Sequence, residues 1–158
     1  MARWPLDGSR NMILNRRAAL AAVPLMMATF AKAAAPPAIH VVKSPTCGCC
    51  NGWVAHLRRA GFQVRVTDVA DVTPTARRLG VPDDLRSCHT ASIGGYAIEG
   101  HVPAADILRL LRRRPAAAGL AVPGMPMGSP GMEAGGRGEP YQVILFTQAG
   151  RRTVFARH

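Results

Sequence analysis

The sequence predicts a single α/β domain. Short apolar strand-like segments alternate with helical ones in the order strand, helix, strand, helix, strand, strand, helix. A two-glycine turn joins the adjacent pair of strands into a hairpin. Size agrees with both patterns: the chain has 158 residues, 48% of them hydrophobic, which supplies one core rather than two and excludes disorder over the whole length.

Ile39-His40-Val41-Val42 reads as a short buried strand ending at the turn signal Ser44-Pro45. From Cys50 a helical period sets in. Trp53, Val54, Leu57 and Ala60 share a face, and Gly61 stands where a C-terminal glycine cap belongs. Phe62, Val64 and Val66 alternate with Gln63, Arg65 and Thr67, the pattern of a half-buried strand. Thr73-Pro74 supplies an N-cap and first turn for a short helix closed at Gly80. Residues 90–93 and 96–99 flank Gly94-Gly95, which can take the positive φ angles of a tight hairpin turn. Pro103 then opens a helix with Ala104, Ile107, Leu108 and Leu111 as its apolar face. With a right-handed crossover between the first two strands, this order is a thioredoxin-like layout. Residues 116–140 form a Met/Gly/Pro-rich stretch expected to be mainly loop. Residues 141–147 and 151–157, around Gln148-Ala149-Gly150, read as a C-terminal β-hairpin that completes a domain over 36–158.

The N-terminal 35 residues read differently. Arg16-Arg17, an apolar run from Ala18 to Ala31, and Ala31-Lys32-Ala33 follow one another as basic, apolar and small-x-small segments, the pattern of a secretory signal peptide. Cleavage is expected near Ala33, Ala34 or Ala35, placing the mature chain in the periplasm, with the membrane met only during export. The paired arginines also fit the twin-arginine route. No apolar run reaches the roughly 18–20 residues that cross a bilayer. The formal net charge is +11. Arg3, Arg10, Arg16, Arg17 and Lys32 against Asp7 account for +4 of it, leaving +7 on residues 34–158. The densest run, Arg112-Arg113-Arg114, suits the last turn of a helix, and no aromatic residues interleave with basic ones, so nucleic acid is excluded as a partner.

All four cysteines, Cys47, Cys49, Cys50 and Cys88, lie in the mature part, three of them between a strand end and a helix start. The unpaired N–H groups of a first helical turn favour thiolate, which is both nucleophile and metal ligand. Three readings follow. Two structural disulfides suit an exported chain, but bridges such as Cys47–Cys49 would be strained, and one staple to Cys88 leaves two thiols without a role. Cys47 and Cys50 end a C-x-x-C, so a thiol–disulfide oxidoreductase is the alternative function, with Cys49 as an awkward competing thiol.

The third reading is a soft metal, and it ranks first. Thiolates this crowded suit bridging between small soft ions better than one tetrahedral zinc. Thioethers join them: Met125, Met127 and Met132 lie in a Gly/Pro segment with no helical face to bury, and thiolate with thioether points to Cu(I). His89, next to Cys88, is a further candidate ligand. His56 lies two turns along the helix, too far for direct ligation, and His101 is expected to help close the N-terminus of the Pro103 helix.

Ser44-Pro45-Thr46-Cys47-Gly48-Cys49-Cys50 with Trp53-Val54-Ala55-His56-Leu57 and Gly61-Phe62 resembles the CopG family of periplasmic copper-resistance proteins. Ser87-Cys88-His89-Thr90, Gly94-Gly95-Tyr96, the stretch from Ile98 to Pro103 and Pro123-Gly124-Met125-Pro126 continue the match. The resemblance implies a thioredoxin-like fold and a cysteine-bridged cluster of more than one copper on Cys47, Cys49, Cys50 and Cys88, with Met125, Met127 and Met132 as the methionine loop. It implies a role in copper detoxification by sequestration, transfer or Cu(I)/Cu(II) interconversion, with copper ions and other periplasmic copper-handling proteins as partners. Whether any turnover is enzymatic stays open.

Overall fold

The computed structural model describes residues 36–133 and 138–158; the signal-peptide expectation for residues 1–35 lies outside them. Chain order is β1 (Ile39–Lys43), α1 (Gly48–Arg59), β2 (Val64–Asp68), α2 (Thr73–Arg78), a 3₁₀ turn (Asp83–Leu85), β3 (His89–Ile93), β4 (Tyr96–Glu99), α3 (Ala104–Arg113), β5 (Gly119–Ala121), β6 (Gln142–Phe146) and β7 (Arg152–Arg157). The described strands form one seven-stranded mixed sheet in the order β2-β1-β3-β4-β5-β6-β7. β1 and β2 are parallel, as are β4 and β5; the other neighbours are antiparallel. None of the described helices is long and apolar enough to cross a membrane.

Period-two alternation divides the sheet's side chains between two cores. On one side Ile39, Val41, Ile98, Leu120 and Val143 pack with Trp53 and Leu57 of α1 and Ile107 and Leu110 of α3. On the other, Ala97, Ala121 and Phe146 pack with Ala76 of α2 and with Val81 and Leu85. Gly94 and Gly95 both adopt positive φ, 56° and 88°, as the hairpin turn requires.

The structure corrects the sequence reading in three places. Within residues 116–140, expected to be mainly loop, Gly119–Ala121 is a strand seated between β4 and β6, and through it the C-terminal hairpin joins the same sheet. Three residues are too few to show a period, and the partners on both sides supply the order that the local sequence lacks. The buried side of α3 carries Ala104, Ile107 and Leu110, while Leu108 and Leu111 are half-buried. Polar anchors turn the helix: buried Asp106 takes Arg109 at 2.9 Å and His158 Nε2 at 2.7 Å, and Arg109 lies over the Phe155 ring. β2 is an edge strand, so Val66 is 36% exposed rather than half-buried.

Candidate metal centre

β1 and α1 are joined by Ser44-Pro45-Thr46. Its turn is closed by the Cys47 N–H, which donates to the Ser44 carbonyl at 3.3 Å. Cys47 is thereby the N-cap of α1, in extended conformation and with no side-chain cap of its own, so Cys49 and Cys50 fall in the first helical turn. Cys88 comes from elsewhere in the chain, immediately before β3. Because β3 lies beside β1, the start of β3 meets the start of α1 at one end of the sheet.

The four sulfurs converge there. Cys47 and Cys50 are joined as a disulfide, and Cys49 and Cys88 are free. Cys49 Sγ lies 3.4 Å from Cys47 Sγ and 3.8 Å from Cys88 Sγ, and Cys50 Sγ lies 3.4 Å from Cys88 Sγ. All four atoms lie within 4.8 Å of one another. The structure therefore brings together the four cysteines singled out in the sequence. Cys50 is fully buried and the other three are half-buried. Burial, reinforced by the neighbouring Cys49, pushes the Cys88 thiol up to about 12, so a metal arriving at Cys88 must displace a proton.

Two imidazoles adjoin the sulfurs. His89 Nδ1 lies 3.4 Å from Cys88 Sγ, and the ring, wholly buried, packs 4.3 Å from Trp53. Burial, followed by the neighbouring His101, depresses its pKa to about 3, which keeps it neutral. His101 Nε2 lies 3.3 Å from Cys88 Sγ, and burial lowers its pKa as well. Its Nδ1–H donates to the Pro130 carbonyl at 2.8 Å.

That placement corrects the expectation for His101, and the role it was given belongs to His56. The Ala104 N–H, at the start of α3, donates to His56 Nε2 at 3.1 Å across the helix–helix contact. Spacing along α1 says nothing of this, because the pairing is tertiary. Glu99 was also missed. It is fully buried on β4, Oε1 accepts the Ser87 N–H at 2.7 Å, and it thereby holds the backbone beside Cys88. Burial raises its pKa to about 7.

The methionine segment folds back onto the site through its backbone. Ser87 Oγ donates to the Gly124 carbonyl at 2.5 Å, Pro130 accepts from His101, and Gly131 rests on the first turn of α1. The approach needs glycine on both sides. A Cβ on Gly52 would sit 2.9 Å from Gly131 Cα, and one on Gly131, at φ 89°, would sit 2.6 Å from both the Cys49 oxygen and the Trp53 nitrogen. Met125 is 52% exposed, while Met127 and Met132 are half-buried.

Two donor groupings among the described residues have the spacing a metal ion needs: Cys47, Cys49, Cys50 and Cys88, and Cys88, His89 and His101. Fold and site together define a class, a mixed α/β protein whose cysteine cluster suits a soft metal ion. The comparisons with known proteins are more specific. Two solved structures, both of copper resistance protein CopG and designated form 1 and form 2, are each 50% identical to the chain, cover 78% of it and 98% of their own length, and superpose with a TM-score of 0.74. The chain belongs to the CopG copper resistance protein family. A family model described as "Protein of unknown function, DUF411" matches residues 85–132, the stretch from just before Cys88 to Met132. No curated protein matches the chain.

Proposed function

We propose that the chain is an exported, periplasmic Cu(I)-binding protein that acts in copper resistance by sequestering the ion, passing it on, or interconverting Cu(I) and Cu(II). One observation carries the reading: four cysteine sulfurs, from an N-terminal helical turn and from the start of a distant strand, lie within 4.8 Å of one another. Once a thiol reductant has opened the Cys47–Cys50 disulfide, soft thiolates at that density can bridge more than one Cu(I), and they would include Cys47, Cys49, Cys50 and Cys88, with thioether supplied by Met125, Met127 and Met132. Copper is the cargo here, and the chain's own groups set the terms of its capture. The first turn of α1 presents N–H dipoles to accumulating thiolate charge. Cys88 releases its proton as metal arrives, so uptake weakens as pH falls. The segment from Gly124 to Gly131 covers one side and limits access of oxidants to the sulfurs. A thioredoxin-like architecture belongs to the same proposal, supported by the strand order β2-β1-β3-β4 and the parallel pairing of β1 with β2.

The Cys47–Cys50 disulfide favours a second reading, a thiol–disulfide oxidoreductase working through that C-x-x-C. Cys49→Ser separates the two. Copper binding predicts little reductase activity from the parent protein on a generic disulfide substrate, and lowered copper content in the variant. Efficient turnover by both proteins would overturn the ranking.

A further inference from the structure

We propose that the end of the molecule opposite the cysteines is a docking surface for anionic lipid headgroups, presented by Arg58 and Arg59 of α1, Arg65 of β2, and Arg112, Arg113 and Arg114 at the end of α3. Helices α1 and α3 pack on the same side of the sheet, and both start at its cysteine end, so both finish at the other. There the Ile39 N–H donates to the Gln63 carbonyl at 2.9 Å, the Gly61 N–H donates to the Arg58 carbonyl at 3.0 Å, and Arg65 stands opposite His40 near the start of β1. The last turn of α3 reaches the β3–β4 turn at the same end. The Tyr96 hydroxyl donates to the Pro115 carbonyl at 2.9 Å, and a Cβ on Gly94 would meet Leu111 Cδ2 at 2.8 Å. All six arginines are exposed, and none has an ion-pair partner among the described residues.

Helix capping does not account for so many cations. A helix C-terminus carries about half a negative charge, so two of them cancel about one of the six positive charges. Carboxylates do not cancel the rest: Asp68, Asp83, Asp84 and Asp106 already hold other cations, and Glu99 is buried. Asp71, at the start of α2, and Glu133, bonded to the Gly131 N–H, belong to the cysteine end. Charges spread over the ends of three elements match a surface of many fixed anions better than one small anion. Phe62, the aromatic residue beside them, is buried, which leaves nothing for nucleic-acid bases to stack on. The course of the chain selects lipid over an acidic protein. Pro37 Cγ lies 4.0 Å from that same Cβ position on Gly94, so the described chain begins at this end. Only residues 32–35 separate Pro36 from the apolar run that ends at Ala31. On the export reading that run enters the bilayer, and a linker spanning at most about 18 Å brings this end to the headgroups first. Contact with lipid then outlasts export, with the cysteines facing away from the membrane. The inference draws on the export reading for the choice of lipid and does not depend on copper.

The test uses protein purified from the periplasm, its N-terminus read first, and sedimentation with vesicles of phosphatidylcholine alone or mixed with phosphatidylglycerol. The parent should sediment with the anionic vesicles only, and high salt should release it. Each arginine at such a surface is worth about fivefold in affinity, so Arg58→Gln with Arg59→Gln should bind about 30-fold more weakly. Arg112→Gln, Arg113→Gln and Arg114→Gln together should lose more. Gln142→Glu with Arg157→Gln removes the same net charge from the other end, where β7 runs on to His158 and its contact with Asp106 at the start of α3, and should bind like the parent. Unchanged circular dichroism and Cu(I) uptake show that each variant is folded, and either arginine set alone decides the outcome. A parent that ignores anionic vesicles at low salt, or equal losses in the two charge-matched double variants, overturns the proposal. A full-length cytoplasmic chain would overturn the export reading alone: parent and variants share that N-terminus, so the difference between them still reports on the arginines.

Discussion

Replacing Glu99 by glutamine should flatten the pH dependence of stability across neutrality in the metal-free protein. Glu99 is wholly buried, and burial lifts its carboxyl from 4.5 to about 7. Between those values the folded chain holds a proton that the unfolded chain has released, so stability falls as pH rises through the window. At 1.36 kcal/mol per pH unit, the full loss is about 3 kcal/mol once pH exceeds the folded value. His89 acts in the opposite sense. Its pKa is depressed from 6.5 to about 3, so its contribution is lost as pH falls through that range, and the two effects overlap between 4.5 and 6.5. The difference between parent and Glu99→Gln isolates the carboxyl, since the amide does not titrate and its oxygen can still accept the Ser87 N–H. Urea unfolding of both proteins in the same disulfide state, from pH 4.5 to 8.5, measures it. Glutamine should gain on the parent by about 3 kcal/mol between the ends of that range. Parallel curves would refute the assignment of a buried, neutral-range carboxyl to Glu99.

Three other outcomes are expected. His56→Ala strips the acceptor from the Ala104 N–H and should cost about 1 kcal/mol, in the range of a lost helix cap, as read by thermal or chemical denaturation; no change would mean that water replaces the imidazole without cost. Changing Met125, Met127 and Met132 together to leucine should leave the fold intact yet weaken Cu(I) affinity or speed air oxidation, and unchanged copper content, affinity and air stability would remove the methionines from the ligand set. Export predicts a mature N-terminus at residue 34, 35 or 36 on sequencing periplasmic material, against which a full-length cytoplasmic chain would count.

The sequence made the periodic parts of the fold legible. Trp53, Val54 and Leu57 on α1 and the Gly94-Gly95 hairpin are local patterns, and the structure has them where the pattern put them. What the sequence hid was set by partners far along the chain. Gly119–Ala121 becomes a strand because β4 and β6 flank it, and α3 buries Leu110 because Asp106 is tied to Arg109 and His158. The site divides in the same way. Three crowded cysteines marked it, and Cys88 could be paired with them by resemblance. His101 looked like a helix-terminal residue from its place before Pro103, and its approach to Cys88 appears only when β4 and the Pro130 segment are folded around it. Glu99 carried one weak signal, an acidic residue in an otherwise apolar strand.

The central claim is that the four cysteines hold copper. Anaerobic purification of the copper-loaded protein, followed by elemental analysis and a free-thiol count on the metal-free chain, tests it most directly. The account predicts more than one Cu(I) per chain, four titratable thiols after reduction, and loss of most of the copper in Cys88→Ser. A protein that takes up no copper when fully reduced, or a Cys88→Ser variant that keeps its full complement, would contradict it.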